Sequence, residues 1–283
     1  MPAPVPEPSQ VLIENRHIAL NYYDVWSSAS RPNGFIPGWD SSGIVVRAAA
    51  VGAGPAMGAR VAATNPAQGG WAELRAVEVT DLAVVPDGVD LALAAALPVA
   101  GVSALRALRD SGSLFGRRVL VTGAAGGVGH FAIQLAANSG AEVIASVGSA
   151  GRGGHLSALG ASLVVVGLSG ISRDIDVVID TVGGDQMAAA FALLREGGVL
   201  QSVGVSSNQP TVFAPYATLG GSRALRTFST GPQVGHDLEY LLTLVLQGKL
   251  KVQIGWRGSW DLLAAAAKLL LDRAVVGKVV LDI

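Results

Sequence analysis

Val119-Leu-Val-Thr-Gly-Ala-Ala-Gly-Gly-Val-Gly129 decides the fold. The apolar run reads as a buried strand, the glycines as a tight turn, and His130-Phe-Ala-Ile-Gln-Leu-Ala-Ala137 as the helix that follows. A second strand is expected at Glu142-Val-Ile-Ala-Ser-Val147. Such a βαβ unit suits a pyrophosphate. Glycines let the backbone approach the phosphates with no Cβ in the way, and the helix's unpaired N–H groups and positive end face the anion. Gly123, Gly126 and Gly129 occupy the turn, with Ala125 where the G-x-G-x-x-G pattern has its second glycine. In a chain with 37 glycines the spacing alone carries little weight. The strand before, the helix after and the second strand beyond make a nicotinamide dinucleotide the leading ligand, against a glycine-rich turn that binds nothing.

The end of the second strand chooses between the two nicotinamide cofactors. An NAD site places Asp or Glu there for the ribose 2′-OH. Here Ser146-Val-Gly-Ser149 runs into Ala150-Gly151-Arg152, and no acidic residue stands between Glu142 and Asp174. A carboxylate ~4 Å from a 2′-phosphate costs about 4 kcal/mol per charge pair at a surface-like dielectric, which exceeds two decades of affinity. The missing acid, the Ser149 hydroxyl and the planar Arg152 cation point to NADPH. The alternative for Arg152 is a solvated surface arginine.

A length of 283 residues allows two domains or one large one. Apolar residues make up 50% and charged residues 14%, enough for a sizeable core. The net charge is −1, with no long Lys/Arg run, so nothing points to nucleic acid or to an anionic membrane. There is no cysteine, which excludes disulfides, thiolate zinc sites and a cysteine nucleophile. Met1–Gln10 is proline-rich without an apolar run, unlike a signal peptide. Val119–Ala141 is uncharged and long enough to span a membrane, but its glycine turn and its His130, Gln134 and Asn138 fit the nucleotide turn better. A cytoplasmic protein is expected.

Residues 10 to 85 read as short strands separated by Gly and Pro: Val11-Leu-Ile-Glu14, Gly43–Arg47, Arg60–Ala63 and Leu82–Pro86. This is the pattern of a β-barrel module. Asp90–Leu108 looks helical with a break at Pro98. From Arg118 strand and helix alternate. After the strand at Val143 a short helix is expected at His155–Gly160, then strands at Leu163–Val166, Asp176–Asp180, Gly198–Val203 and Arg223–Ser229, with a helix at Gln186–Leu194. That alternation means an α/β, doubly wound parallel sheet. A helix at Asp237–Gln247, an alanine-rich helix at Leu262–Leu271 and a strand at Lys278–Asp282 close the chain.

The order of these segments resembles the medium-chain dehydrogenase/reductase superfamily, and most closely its zinc-independent quinone oxidoreductase and enoyl reductase branch. The resemblance rests on Ala19-Leu-Asn-Tyr-Tyr-Asp24, Ile36-Pro-Gly-Trp-Asp-Ser-Ser-Gly-Ile-Val45, Gly69-Gly-Trp-Ala-Glu73 and Ala96-Leu-Pro-Val-Ala-Gly-Val-Ser-Ala104. The glycine turn, Asp180-Thr-Val-Gly-Gly184, Gly197-Gly198 and Gly277-Lys-Val-Val-Leu281 complete it. It implies a Rossmann-type doubly wound parallel sheet at 98–248. It also implies a GroES-like β-barrel catalytic domain at 1–97 and 249–283, shortened at its N-terminus by a strand pair before Val5-Pro-Glu-Pro8.

The resemblance further implies hydride transfer from NADPH to a small apolar quinone, enone or other activated alkene, in a cleft between the two domains. The implied cofactor residues are Ser103, Gly123, Ala124, Gly126, Gly127, Val128, Gly129, Gly204, Val205 and Arg273, beside Ser149 and Arg152. Asn21 is implied near the nicotinamide, Trp26 lining the pocket and Asp180 in a structural role. Trp39 stands where zinc alcohol dehydrogenases carry a histidine ligand, so no metal is implied.

Reduction of a conjugated C=C develops negative charge on an oxygen, which needs a donor, and the neighbouring carbon needs a proton. Asn21 and Tyr23 are the candidate catalytic residues. If the segment is extended, Tyr22 and Tyr23 alternate between core and cleft. His17, His130, His155 and His236 have no metal-ligand spacing, and no Gly-x-Ser-x-Gly elbow follows a strand. The alternatives are a non-redox enzyme such as a cyclase on the same scaffold, and a non-catalytic NADPH-binding protein. A homodimer is expected from an unpaired edge at Arg223–Ser229.

Overall fold

A computed structural model describes residues 2–283. Two compact units divide the chain: one comprises Met1–Val102 with Thr230–Ile283, the other Ser103–Ser229.

The first unit opens with β1 (Gln10–Leu20), α1 (Tyr22–Ser28), β2 (Asp40–Arg47), β3 (Arg60–Ala63), β4 (Leu74–Glu78), β5 (Leu82–Val84) and α2 (Leu91–Ala95). Helix α3 (Pro98–Asp110) carries the boundary, with Pro98 at its first position, where a missing N–H costs nothing. The second unit holds β6 (Arg118–Val121), α4 (Gly127–Asn138), β7 (Glu142–Val147), β8 (Leu163–Val166), β9 (Ile175–Asp180), α5 (Gly184–Ala192), β10 (Leu194–Ser202) and β11 (Ala224–Thr227). The chain ends in the first unit with α6 (Gly235–Leu246), β12 (Ile254–Ser259), α7 (Leu263–Leu271) and β13 (Lys278–Asp282).

The sheet of the first unit runs β12-β13-β1-β2-β3-β5, with β4 also on β1. One edge of β1 pairs with β4 over Gln10–Glu14 and with β13 over His17–Leu20; the other edge pairs with β2. The long β1 therefore serves two cores. Val11 and Ile13 join Val45, Val61, Val77 and Leu82 in one, while Ile18 and Leu20 join Val279, Leu281 and Ala266 in the other. This is the GroES-like part of the fold.

The second unit is a six-stranded parallel sheet in the order β11-β10-β9-β6-β7-β8. The order reverses between β6 and β9, the switch point at which a doubly wound sheet binds its ligand beyond the strands' C-terminal ends. All six residues of β9 are buried, as befits a parallel strand covered on both faces.

Three local features refine the reading of the sequence. The segment after Asn21 is helical, not extended, because Asn21 caps α1 and Asp24, at the third helical position, takes the Asn21 N–H at 3.1 Å. The short helix expected at His155–Gly160 is a single 3₁₀ turn that ends on left-handed Gly160. Ala150–Arg152 and Ser157–Leu159 are single 3₁₀ turns, because the intervening glycines leave too few residues to repay helix nucleation. Strand β4 is additional to the strands expected in residues 10–85; its alternating half-buried pattern spans only five residues.

Candidate active site and cofactor site

In the second unit, the turn after β6 has the close backbone geometry that a phosphate cradle needs. Gly123 has φ +59°, and a Cβ there would stand 2.2 Å from Thr181 Oγ1. At Gly129 a Cβ would meet Gly123 O at 2.5 Å and Ala124 at 2.7 Å, so only glycine lets α4 begin this close to β6. Ala124 and Ala125 are buried, and Ala125 does not adopt a positive φ, so alanine is tolerated at position 125. Gly123, Gly126, Gly127 and Val128 remain partly exposed. Gly126 caps the 12-residue α4, whose first turn contains no acid. The leading N–H groups have no intrahelical acceptor and present a positive end to an anion. The residues present fit a dinucleotide pyrophosphate.

At the end of β7, Ser149 precedes the turn that carries Arg152. A cavity of about 310 Å³ lies beside it, lined by Val147, Ala150, Gly153, Gly154, Ser157 and β8. Beyond β10, Gly204 is half-buried and Val205 is 56% exposed. Ser103 is buried on α3. The second unit thus brings the glycine turn, Ser149, Arg152, Gly204 and Val205 to the C-terminal ends of its parallel strands. Arg273 belongs to the first unit, in the exposed turn after α7, with φ +57°.

Asp180 ends β9 fully buried. Its carboxylate takes the Thr122 hydroxyl at 2.5 Å and the Gly183 N–H at 2.8 Å. Burial pushes its pKa up, against the lowering effect of these bonds. It braces the turns after β6 and β9 rather than facing outward, in keeping with the structural role expected for it.

In the first unit, Asn21 sits in a buried charge network. Its Nδ2 donates to Asp24 Oδ2 and to Asp40 Oδ2, each at 3.0 Å, and its Oδ1 accepts from Lys278 Nζ at 2.6 Å. Carboxylates only accept and an ammonium only donates, so the amide has one workable orientation. Both amide hydrogens are spent. The structure thus places Asn21 as a clamp within this network, with neither amide hydrogen left unpaired.

Lys278 is 2% exposed. It also donates to Leu20 O at 3.2 Å and stands 3.3 Å from Asp40 Oδ2. Burial raises Asp40, with Lys278 the main opposing influence. Burial, then the charge of Asp40, raises Asp24 to about 7, and Asp24 Oδ1 has no partner. Nearby, Arg75 is buried and donates to Ser41 Oγ at 2.8 Å; desolvation lowers it to about 10.

Tyr23 projects outward from α1. It is 46% exposed, stacked on Trp39 at 5.5 Å and 13°, and tilted against Trp26 at 5.6 Å. Trp26 is itself 47% exposed. Helix α1 thus carries an aromatic surface at Tyr23 and shares in a buried polar network through Asp24. The sequence signal for that network is Asn-x-x-Asp at 21–24 with Asp40; Lys278, far along the chain, stands out in the sequence only as part of a family motif. Among the described residues no three His, Cys, Asp or Glu side chains gather as a metal site, and no helix is long and apolar enough to cross a membrane.

Residues 127–247 match the family model described as zinc-binding dehydrogenase. The chain is 32% identical to the 2-methylene-furan-3-one reductase of Solanum lycopersicum over 293 residues, covering 96% of this chain and 71% of that one. The quinone oxidoreductase of Coxiella burnetii superposes with a TM-score of 0.87 at 29% identity, covering 100% of this chain and 93% of that one. The mycobacterial protein Rv1454c, solved in complex with NADPH, also gives a TM-score of 0.87, at 25% identity over 100% and 94% of the two chains. Likeness on this scale runs through barrel, nucleotide sheet and C-terminal return alike. The chain belongs to the medium-chain dehydrogenase/reductase superfamily of oxidoreductases, in its zinc-independent, quinone-oxidoreductase-like branch.

Proposed function

We propose that this protein is an NADPH-dependent reductase of small apolar quinones, enones or other activated alkenes. One observation carries the cofactor reading: α4 opens on glycines with no acid in its first turn, and the strand beside it ends at Ser149 and Arg152 with no acid at all. The NADPH complex of the mycobacterial relative supports the same choice. Bound NADPH supplies the hydride.

The chain's own residues bind and orient. Gly123, Ala124, Gly126, Gly127, Val128 and Gly129 receive the pyrophosphate on backbone N–H groups. Ser149 and Arg152 hold the 2′-phosphate by a hydroxyl and a fixed cation. Gly204 and Val205 line the nicotinamide half, with Ser103 and Arg273 as further cofactor contacts. Tyr23 donates to the substrate oxygen as its charge develops. Asn21, locked by Asp24, Asp40 and Lys278, holds α1 and so the direction of Tyr23. The protein works as a homodimer paired along β11, the terminal strand of its sheet.

The test is NADPH oxidation by the purified chain with a panel of quinones and enones, followed by product mass. A gain of two hydrogens supports the reading; an isomeric product with no NADPH consumed overturns it. Sedimentation as a monomer at micromolar concentration overturns the dimer.

A further inference from the structure

The turns after β6, β9 and β10 leave the same edge of the parallel sheet, and the segment after β9 ties the other two together. Thr181 forms the tie. Its N–H donates to Thr122 Oγ1 at 3.1 Å, and its hydroxyl donates to the Thr122 carbonyl at 2.9 Å, immediately before Gly123. Its own carbonyl accepts the Ser206 N–H at 3.3 Å and the Ser206 hydroxyl at 2.9 Å. Around it, the Asp180 carbonyl takes the Val203 and Gly204 N–H groups at 2.8 and 3.1 Å, and the Val182 carbonyl takes the Ser207 N–H at 2.8 Å. The contact is close as well as bonded: a Cβ on Gly123 would meet Thr181 Oγ1 at 2.2 Å, and one on Gly204 would meet Thr181 O at 3.0 Å.

The strand order assigns the two sides of this tie to different halves of a dinucleotide. A ligand centred on the Gly123 turn lies across the switch point between β6 and β9, with one mononucleotide half over β7 and the other over β9 and β10. Arg152, after β7, marks the adenosine side. The glycine turn is joined to that side by a separate bond, Ala124 N–H to Ser146 O at 3.0 Å, which does not involve Thr181.

We propose that Thr181 is a positioning residue that sets the distance between the phosphate turn and the loop Gly204–Ser207, and so aligns the nicotinamide half of the cofactor independently of the adenosine half. The inference rests on the reading that the protein binds NADPH along this edge. Removing the hydroxyl frees the Thr122 carbonyl and loosens the two turns relative to each other, while the Ala124–Ser146 bond keeps the adenosine side in place.

Calorimetric titration of NADPH and of 2′,5′-ADP, the adenosine half alone, tests it. Thr181→Val is expected to weaken NADPH about tenfold, the size of one lost hydrogen bond, and to leave 2′,5′-ADP within about twofold. Thr181→Ser keeps the hydroxyl and restores NADPH affinity. Ser206→Ala removes the hydroxyl bond at the opposite end of the tie and leaves the weaker N–H bond; it should give the same split, and decides the matter if Thr181→Val does not fold. Equal losses for the two ligands, or no loss for NADPH, overturn the inference. Wild-type protein that binds neither ligand overturns the cofactor reading and this inference with it.

Discussion

Lys278 Nζ lies 2.6 Å from Asn21 Oδ1 and 3.3 Å from Asp40 Oδ2, so the last strand of the chain fixes an amide at the front of α1. This contact spans 257 positions in sequence and is buried at both carboxylate and ammonium. Its cation is what makes a second buried carboxylate tolerable beside Asp24.

Replacing the ammonium by a neutral chain of similar length leaves Asp40 buried without a countercharge. Lys278→Met should destabilise the fold by about 3–5 kcal/mol in urea unfolding, and Asp40→Asn in the same chain should recover part of that loss. Single and double variants of equal stability would show that the pair is not coupled.

Asp24 makes stability depend on pH. Burial raises its folded pKa from 3.8 to about 7, so between those values the native state holds a proton that the unfolded chain has released. The contribution is complete below pH ~4 and is lost as pH rises through ~7, a change of about 4 kcal/mol for a shift of this size. The stability of the wild type relative to Asp24→Asn should therefore fall from pH ~4.5 to ~8. A flat difference would show that Asp24 titrates normally.

Two glycines of the phosphate turn should respond differently to a methyl group. Gly129→Ala places it 2.5 Å from a backbone carbonyl, and Gly126→Ala at 3.1 Å. The first must displace backbone and should cost about 2 kcal/mol or more, together with cofactor binding. The second should fold within about 1 kcal/mol of wild type. Thermal unfolding checks both, and equal losses would contradict the close approach of α4 to β6.

Arg152 is the proposed partner of the 2′-phosphate. Arg152→Ala should weaken NADPH by about 10- to 100-fold, as befits a charge-assisted contact, and leave NADH nearly unchanged. Fluorescence titration with both cofactors reads the ratio. A parallel loss for both would move Arg152 out of the phosphate site.

Tyr23 is the proposed donor to substrate. Tyr23→Phe keeps the ring on Trp39 and Trp26 and removes only the hydroxyl. It should lower kcat by about a hundredfold, the usual scale for a donor to developing charge, with NADPH affinity unchanged. Unaltered kcat would assign Tyr23 to substrate stacking alone.

Legibility in the sequence follows the range of the interactions. The βαβ turn is readable because its strand, its glycines and its helix are contiguous, and close backbone approach demands glycine wherever the ligand is to come. The terminal strand is readable at its observed limits, Lys278–Asp282, because its apolar run is unbroken. Helix α1 is not, although Asn21 and Asp24 carry its capping pattern: the apolar character of Tyr-Tyr and Val-Trp fits a strand as well as a helix. The role of Asn21 escapes the sequence for a different reason. Its position in a motif says nothing of where its two amide hydrogens go, and those are taken by Asp24 and by Asp40, which lies on another strand.

From sequence alone came the parallel nucleotide sheet, the barrel strands other than β4, the glycine turn and the absence of an acid after β7. These depend on local pattern and on residues that are simply present or missing. Tertiary structure decided that Asn21 is a clamped amide, that Tyr23 and not Tyr22 projects among the tryptophans, and that Thr181 joins two turns far apart in the chain. Hydrogen-bond allocation and burial depend on which strands become neighbours, and that is settled only when the sheets close around their cores.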